Sequence, residues 1–158
     1  MNTLAPTSDF SINRRFGGIA RLYGEATLAR FAAAHVCVVG VGGVGSWAVE
    51  ALARSGIGRL TLIDLDNVAE SNVNRQLPAI TSEFGKAKVT SLHERILQIN
   101  PACQVTEIED FVTEENLAEL FSQPFDFVID AIDQVRVKAA MAAYFVANKQ
   151  PFILSGGA

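Results

Sequence analysis

The chain has 158 residues, of which 49% are hydrophobic, and a formal net charge of −4 at pH 7. One domain with a sizeable buried core is expected for this length and composition, and the acidic balance argues against a nucleic-acid-binding protein coated in positive charge. The charge is uneven, because residues 1–60 carry six basic and three acidic residues and the remainder carries seven basic and fourteen acidic ones. The net charge therefore does not exclude a local basic patch.

No apolar stretch reaches the roughly 18 residues that a membrane-spanning helix needs. The first residues also lack the charged-then-apolar pattern of a signal peptide. The two cysteines, Cys37 and Cys103, are far apart in sequence and indicate neither a disulfide framework nor a zinc site. His35, His93 and Cys37 lie in no recognisable catalytic pattern, and we interpret them as structural. We therefore expect a cytoplasmic protein with no membrane contact through this segment.

The first half of the chain alternates between strand and helix patterns. Residues 1–13 are polar and aperiodic and are predicted to form a flexible tail, with the domain over 14–158. The predicted elements are then a helix over 25–33, a strand over 36–39, a helix from 44 to the glycines at 56 and 58, a strand over 60–63, and a long loop over 65–85. Loops of this length inside a compact domain are typically functional.

The second half repeats this alternation. It predicts a helix over 86–98, a strand over 104–109, a helix over 113–122, a strand over 125–130, a helix over 135–148 and a strand over 151–154. Strands alternating with helices throughout are typical of an α/β fold with a Rossmann-like, doubly wound parallel sheet. Because the chain stops on a glycine turn directly after a strand, which would leave a sheet edge bare, we expect it to be the front part of a longer protein.

The turn after the first strand carries the strongest local signal. Gly40, Gly42, Gly43 and Gly45 lie between a buried strand and a helix, and Asp64 ends the next strand, 24 positions after Gly40. In this context a glycine-rich turn favours nucleotide binding, because backbone can approach a phosphate and the helix amino end supplies unpaired N–H groups. Asp64 can accept hydrogen bonds from a ribose. The competing interpretation is an ordinary tight turn.

A dehydrogenase would show the same turn and acid, so the discriminating residues lie downstream. Arg75 in the long loop, Lys88 near the start of the next helix and Asp133 after the fourth strand all lie where open α/β sheets bind ligands. Arg75 offers a fork of donors for phosphate oxygens, Lys88 a compact cation, and Asp133 a carboxylate for Mg²⁺. Taken alone, Arg75 would be a solvated surface residue, Lys88 a helix-face charge and Asp133 a helix cap. Together they favour triphosphate chemistry over hydride transfer.

The motifs also carry a family resemblance. The stretches GVGGVGS, LIDLDNVAESNVNRQ, GKAKV, INP and DAID resemble, in order and spacing, the ThiF/MoeB/HesA family of ubiquitin-activating-like adenylating enzymes. The resemblance covers about residues 14–158. Within the family, RRFGGIARLYG, DFVT at 110–113 and VIDAIDQVRVKAA are most similar to members that cyclise a modified adenosine in tRNA.

This resemblance implies the nucleotide-binding portion of an adenylating domain, which activates a carboxylate with ATP and Mg²⁺ and takes tRNA as substrate. The nucleotide-binding residues that it implies are Gly40, Gly42, Gly43, Gly45, Asp64, Asp66, Ser71, Asn72, Arg75, Gln76, Lys88, Asp133 and Gln134.

The resemblance also implies individual roles. Gly43 would lie against the nucleotide, and Asn72 and Arg75 would contact phosphates. Lys88 would stabilise the charge that grows as pyrophosphate leaves, and Asp133 would hold Mg²⁺. Arg75, Lys88 and Asp133 are therefore the candidate catalytic residues.

Partners and alternatives follow from the same resemblance. The family generally forms homodimers, and we expect residues 14–21 to contact the partner, with Arg15 or Arg21 reaching its nucleotide in place of an arginine that relatives carry. One alternative function is activation of a ubiquitin-like sulfur carrier, with a sulfur-transfer protein as partner. Another is a nucleotide-binding module without chemistry of its own.

Overall fold

Five parallel strands form one sheet in the part of the chain that the computed structural model describes, residues 11–155. The strands are β1 His35–Val39, β2 Arg59–Ile63, β3 Gln104–Ile108, β4 Phe127–Asp130 and β5 Phe152–Leu154. Their spatial order is β3-β2-β1-β4-β5, and every neighbouring pair is parallel. The predicted doubly wound parallel sheet is therefore confirmed. The chain builds outward from β1 through β2 to β3 and then crosses back to β4, so the order reverses between β1 and β4.

Six α-helices connect and cover the strands of this described segment. They are α1 Ile12–Tyr23, α2 Glu25–Ala33, α3 Gly45–Arg54, α4 Lys88–Ile99, α5 Leu117–Leu120 and α6 Val135–Ala147. The long loop predicted over 65–85 contains two short 3₁₀ turns, Glu70–Asn72 and Thr81–Glu83. None of the helices within residues 11–155 has the length and hydropathy needed to cross a bilayer.

The structure differs from the sequence prediction at helix α1, which was not predicted, and at the helix predicted over 113–122. The tail predicted to reach residue 13 ends earlier, because α1 begins at Ile12 and the Ser11 hydroxyl accepts a hydrogen bond from the Arg14 N–H at 3.3 Å. Residues 1–10 of that tail lie outside the described residues. The helix predicted over 113–122 is reduced to α5, since Thr113 and Asn116 each accept a hydrogen bond from the other's backbone N–H and form a turn instead.

The central strands of the sheet are packed on both faces. Val36 and Val38 of β1 belong to a core shared with α3 and α4, whereas Cys37 and Val39 belong to a second core shared with α5 and α6. This division follows from the strand geometry, in which successive side chains point to opposite faces. Because both faces are covered, polar ligand-binding groups are confined to the ends of the strands.

The loop after β1 packs closely on its own helix and on the chain after β4. A Cβ added at Gly45 would lie 1.8 Å from the Gly40 carbonyl oxygen. Gly40 has a φ of +78°, and a Cβ there would lie 2.9 Å from Cγ2 of Ile132. Gly40 is therefore packed between the first residue of α3 and the turn after β4. Neither Gly40 nor Gly45 has room for a side chain.

Replacing Gly45 by alanine tests this packing. The added methyl overlaps the Gly40 carbonyl oxygen, so we expect the free energy of unfolding to fall by about 3 kcal/mol or more, as measured by urea denaturation. Gly18→Ala is the matched control, because a Cβ at this exposed position in α1 meets no atom closer than 3.8 Å. Alanine is the better helix former, so the control should be neutral or gain up to about 1 kcal/mol. Equal stability of the two variants would contradict the packing described.

Candidate functional site

A cavity of about 570 Å³ opens at the carboxyl ends of the strands, beside the point where the strand order reverses. Open α/β sheets bind ligands in this crevice. Ten of the thirteen predicted nucleotide-binding residues line it, namely Gly40, Gly42, Gly43, Asp64, Asp66, Arg75, Gln76, Lys88, Asp133 and Gln134. Residues separated by more than 90 positions in sequence thus meet around one space.

Asp64 fixes the glycine loop to the end of β2. One carboxylate oxygen accepts the Val41 N–H at 2.8 Å, and the other accepts the Asp66 N–H at 2.9 Å. Each oxygen of a carboxylate has two lone pairs, so both keep capacity for a further donor such as a ribose hydroxyl. Asp64 therefore has a structural role that the sequence did not reveal, and it remains available to a ligand.

Arg75 extends along the glycine loop. Its Cγ and Cδ lie 3.5 Å from the position that a Cβ of Gly43 would take. Its guanidinium donates to the Ser71 carbonyl at 3.2 Å and to Oδ1 of Asn74 at 2.9 Å. The Trp47 indole N–H donates to the Arg75 carbonyl at 3.0 Å. An arginine held at both its backbone and its head group differs from the freely solvated residue that its exposure alone would predict.

Gln76 and Ser46 lie against the other side of the same loop. The Ser46 hydroxyl donates to the Gly42 carbonyl at 2.5 Å and accepts the Leu77 N–H at 3.3 Å, which ties the loop after β1 to the long loop. Gln76 is only 8% exposed, and its Oε1 has no hydrogen-bond partner in the described part of the chain. An unpaired buried amide oxygen on a cavity wall costs free energy unless a ligand or water donates to it.

Lys88 is buried at the first position of α4, with 4% of its surface exposed. Its ammonium contacts Oδ2 of Asp66 at 2.8 Å, and its backbone N–H donates to the Asp66 carbonyl at 3.0 Å. A buried lysine needs an anionic partner to offset the loss of hydration. The interpretation of Lys88 as a solvated helix-face charge is therefore wrong.

Asp133 lies between β4 and α6 on the cavity wall, and its carboxylate has no hydrogen-bond or ion-pair partner in residues 11–155. The N-cap residue of α6 is Gln134, so Asp133 does not cap the helix. No group of three or more His, Cys, Asp or Glu residues in this range could hold a metal ion alone. Mg²⁺ binds through one or two carboxylates plus phosphate oxygens, and a single unpaired Asp133 fits that arrangement.

Three predicted residues do not line the cavity. Asn72 is buried, and its side-chain oxygen accepts the Ala69 N–H at 3.0 Å, which closes the 3₁₀ turn before Arg75. Ser71 contributes its carbonyl to Arg75, and Gly45 packs against Gly40. In this geometry all three shape the loops, and the predicted contact of Asn72 with phosphate has no support from its position.

Comparison with known proteins decides the family, since the sequence pattern of the ThiF family matches residues 16–158. The chain belongs to the ThiF family. The tRNA threonylcarbamoyladenosine dehydratase of Escherichia coli is 58% identical over 145 residues, which are 92% of this chain and 54% of that protein. The Haemophilus influenzae protein of the same name is 54% identical over 145 residues, covering 92% of this chain and 56% of the relative.

Solved structures agree with the sequence comparison. The crystal structure of the E. coli dehydratase in complex with ATP matches with a TM-score of 0.91 and 57% identity, over 92% of this chain and 60% of that one. The molybdopterin-synthase adenylyltransferase of E. coli is more distant, at 36% identity over 124 residues, 78% of this chain and 49% of that protein. This ThiF-family chain spans about half the length of the curated relatives that it matches.

The cavity of this ThiF-family chain has one wall that the site prediction missed. Asp110, Phe111 and Val112 follow the carboxyl end of β3 and line the cavity, as do Ala131 and Ile132 after β4. The rule that selected Arg75 and Asp133, position at the carboxyl end of a strand, applies equally to residues 110–112. In the sequence, residues 110–113 contributed only to the family resemblance, and none of them was assigned to the site.

The groups interpreted as structural lie away from the cavity. Burial lowers the pKa of His35 at the opposite end of β1, while His93 pairs with Glu107. Burial raises the pKa of Cys37, and it raises that of Cys103 to about 11. Both thiols are therefore protonated near neutral pH and are poor nucleophiles.

Asp64→Asn tests the link between the glycine loop and β2. The amide turns its NH₂ group toward one of the two backbone N–H donors, so one hydrogen bond is lost and unfolding free energy should fall by about 1–2 kcal/mol in urea denaturation. Asp133→Asn is the control, because the Asp133 carboxylate has no partner to lose within residues 11–155. If Asp64→Asn is as stable as Asp133→Asn, the carboxylate does not hold the loop.

Proposed function

We propose that the chain is the nucleotide-binding part of an enzyme that adenylates a carboxylate with ATP. The observation that carries the proposal is the convergence of Arg75, Lys88 and Asp133 around the glycine loop in one cavity. Two cations and an unpaired carboxylate beside the glycine loop at the amino end of α3 fit a magnesium triphosphate. A nicotinamide dinucleotide needs the glycine turn and Asp64 but has no use for this set.

Arg75 and Lys88 would act on the charge that develops as pyrophosphate leaves. Arg75 presents a planar fork of donors beside Gly43, and Lys88 a point charge in a buried position where electrostatic interactions are strong. Since Asp66 is 58% exposed on its side chain, water can solvate it while Lys88 turns to phosphate oxygens. Asp133 would hold Mg²⁺, which neutralises phosphate charge.

The remaining walls fit the nucleoside. Ile63 at the end of β2, with Phe111 and Val112 after β3, gives the cavity an apolar side suited to a purine ring. Asp64 retains acceptor capacity for the ribose hydroxyls. We therefore place adenine toward β3 and the phosphates toward the glycine loop.

We further propose that the acceptor is the threonyl carboxylate of threonylcarbamoyladenosine in tRNA. The support is the 58% and 54% identity to tRNA threonylcarbamoyladenosine dehydratases. A carboxylate oxygen would attack the α-phosphorus and release pyrophosphate, and ring closure onto the activated carbonyl would then expel AMP. The net change is loss of one water, coupled to ATP cleavage. We propose a cytoplasmic location because the proposed substrate is tRNA.

A homodimer completes this proposal. Residues 14–21, which we expect at the partner, lie in α1. The Arg15 guanidinium donates to the carbonyls of Gln98 and Ile99 at 2.8 Å each and so is committed to the end of α4. Arg21 is exposed on the same helix, and we propose it rather than Arg15 as the residue that reaches the partner's nucleotide.

Calorimetric titration with ATP and Mg²⁺, and separately with NAD, tests the nucleotide assignment. We expect saturable ATP binding that weakens by about tenfold or more in Arg75→Ala, because a hydrogen bond between charged groups contributes about 1.5–3 kcal/mol. Arg30→Ala removes an exposed arginine from α2 and should bind ATP like the parent chain. Binding of NAD but not of ATP would overturn the proposal.

The acceptor is tested by ATP–pyrophosphate exchange. Exchange should rise when tRNA carrying threonylcarbamoyladenosine is added and should not rise with tRNA lacking the threonyl carboxylate. Stimulation by a ubiquitin-like sulfur carrier instead would favour the alternative that the 36% identity to molybdopterin-synthase adenylyltransferase supports. ATP binding without exchange under either condition would favour a nucleotide-binding module.

A further inference from the structure

Asp130 and Lys138 form an ion pair behind the turn that carries Asp133. Asp130 ends β4 and is 0% exposed, whereas Lys138 is the fourth residue of α6 and has 15% of its side chain exposed. The distance between Asp130 Oδ2 and Lys138 Nζ is 2.9 Å. Neither residue lines the cavity, so the pair supports the wall from behind.

The pair joins the two ends of the turn. Asp130 Oδ1 accepts the Ile132 N–H at 3.1 Å, and the Asp130 carbonyl accepts the Ser155 N–H at 2.9 Å. Lys138 is anchored in α6, where its backbone N–H donates to the Gln134 carbonyl at 2.9 Å. Asp130 therefore holds the turn from the strand side, and its contact with Lys138 adds a restraint from the helix side.

The pair is poorly suited to stabilise the fold. Asp130 Oδ2 and Lys138 Nζ are buried and have no hydrogen-bond partner in the described residues, so their mutual contact is electrostatic. An ammonium has three N–H donors. When it is buried with a single partner atom, that one contact does not offset the hydration free energy lost on burial. Buried pairs of this kind contribute little net stability compared with apolar side chains of similar volume. A role in positioning the turn after β4 explains the presence of the pair beside the site better than a contribution to stability does.

We propose that Asp130 and Lys138 are positioning residues that fix the backbone at Asp133 and thereby set the Mg²⁺-dependent part of ATP binding. This inference rests on the proposed function, because Asp133 is the only proposed metal contact. Residues that orient a metal ligand through a second shell affect metal affinity by about 10–100-fold when removed. Arg75 and Lys88, which contact the phosphates directly in our proposal, lie on other elements and are not held by the pair.

Calorimetry of the chain with ATP, in EDTA and in saturating Mg²⁺, tests the pair. In Lys138→Met we expect the gain in ATP affinity on adding Mg²⁺ to fall by about tenfold, with affinity in EDTA within about twofold of the parent chain. Lys138→Arg keeps a cation at this position and should restore most of the gain. Lys149→Met removes an exposed lysine just beyond the other end of α6 and should change neither affinity.

Hydrogen exchange supplies a readout without ligand. Loss of Lys138 should speed exchange of the Ile132 amide and its neighbours over 131–134 while leaving β1 protected, and Lys138→Gln serves as a second variant if Lys138→Met does not fold. Equal loss of affinity with and without Mg²⁺ would show a merely structural role and overturn the inference, as would unchanged binding and exchange. If the parent chain binds no ATP, the proposed function fails, and the inference fails with it.

Discussion

The site depends on the close approach of two loops at the point where the strand order reverses. The loop after β1 passes so near its own helix and the turn after β4 that Gly40 and Gly45 have no room for a Cβ. Asp64 then attaches the same loop to the end of β2 through Val41. These contacts fix the positions of the carboxyl ends of β1, β2 and β4 relative to one another. Without them, the glycine loop could not lie along Arg75 on one side and Ile132 on the other.

The layered fold was predictable because its causes are local. Each strand is a short apolar run, and each long helix repeats its apolar residues at helical spacing, so α/β alternation follows from hydrophobic period alone. Parallel strands place their carboxyl ends at one edge, and this rule, with position at a helix amino end for Lys88, predicted that Arg75, Lys88 and Asp133 lie near one another; all three line one cavity. The same rule covers residues 110–112, which follow β3, but in the sequence they contributed only to the family resemblance and none of them was assigned to the site.

The partners of individual side chains were not predictable, because they depend on distances set by the tertiary structure. The Asn72 side chain accepts a hydrogen bond from the backbone of its own 3₁₀ turn. Short polar side chains commonly bond to nearby backbone in this way, and such a bond takes the place of a contact with ligand. Lys88 is buried against Asp66, although nothing in the spacing of 22 residues indicates that the two meet. Helix α1 was missed because the adjacent glycines at 17 and 18 lower helix propensity, and packing of Phe16 and Ala20 against Leu28 compensates for it.

In the ion pair between Asp66 and Lys88, the Asp66 carboxylate already occupies the ammonium that an anionic ligand would bind. Any anion that uses the buried ammonium must first displace a carboxylate already bound to it, so occupancy of Lys88 depends on the charge that the incoming group carries. A triphosphate meets that requirement better than a monophosphate. After pyrophosphate has left and ring closure has expelled AMP in the proposed reaction, Asp66 can pair with the lysine again, and AMP then has one contact fewer than ATP. The Asp66 carboxylate would thus weaken the binding of AMP relative to ATP and promote the release of AMP.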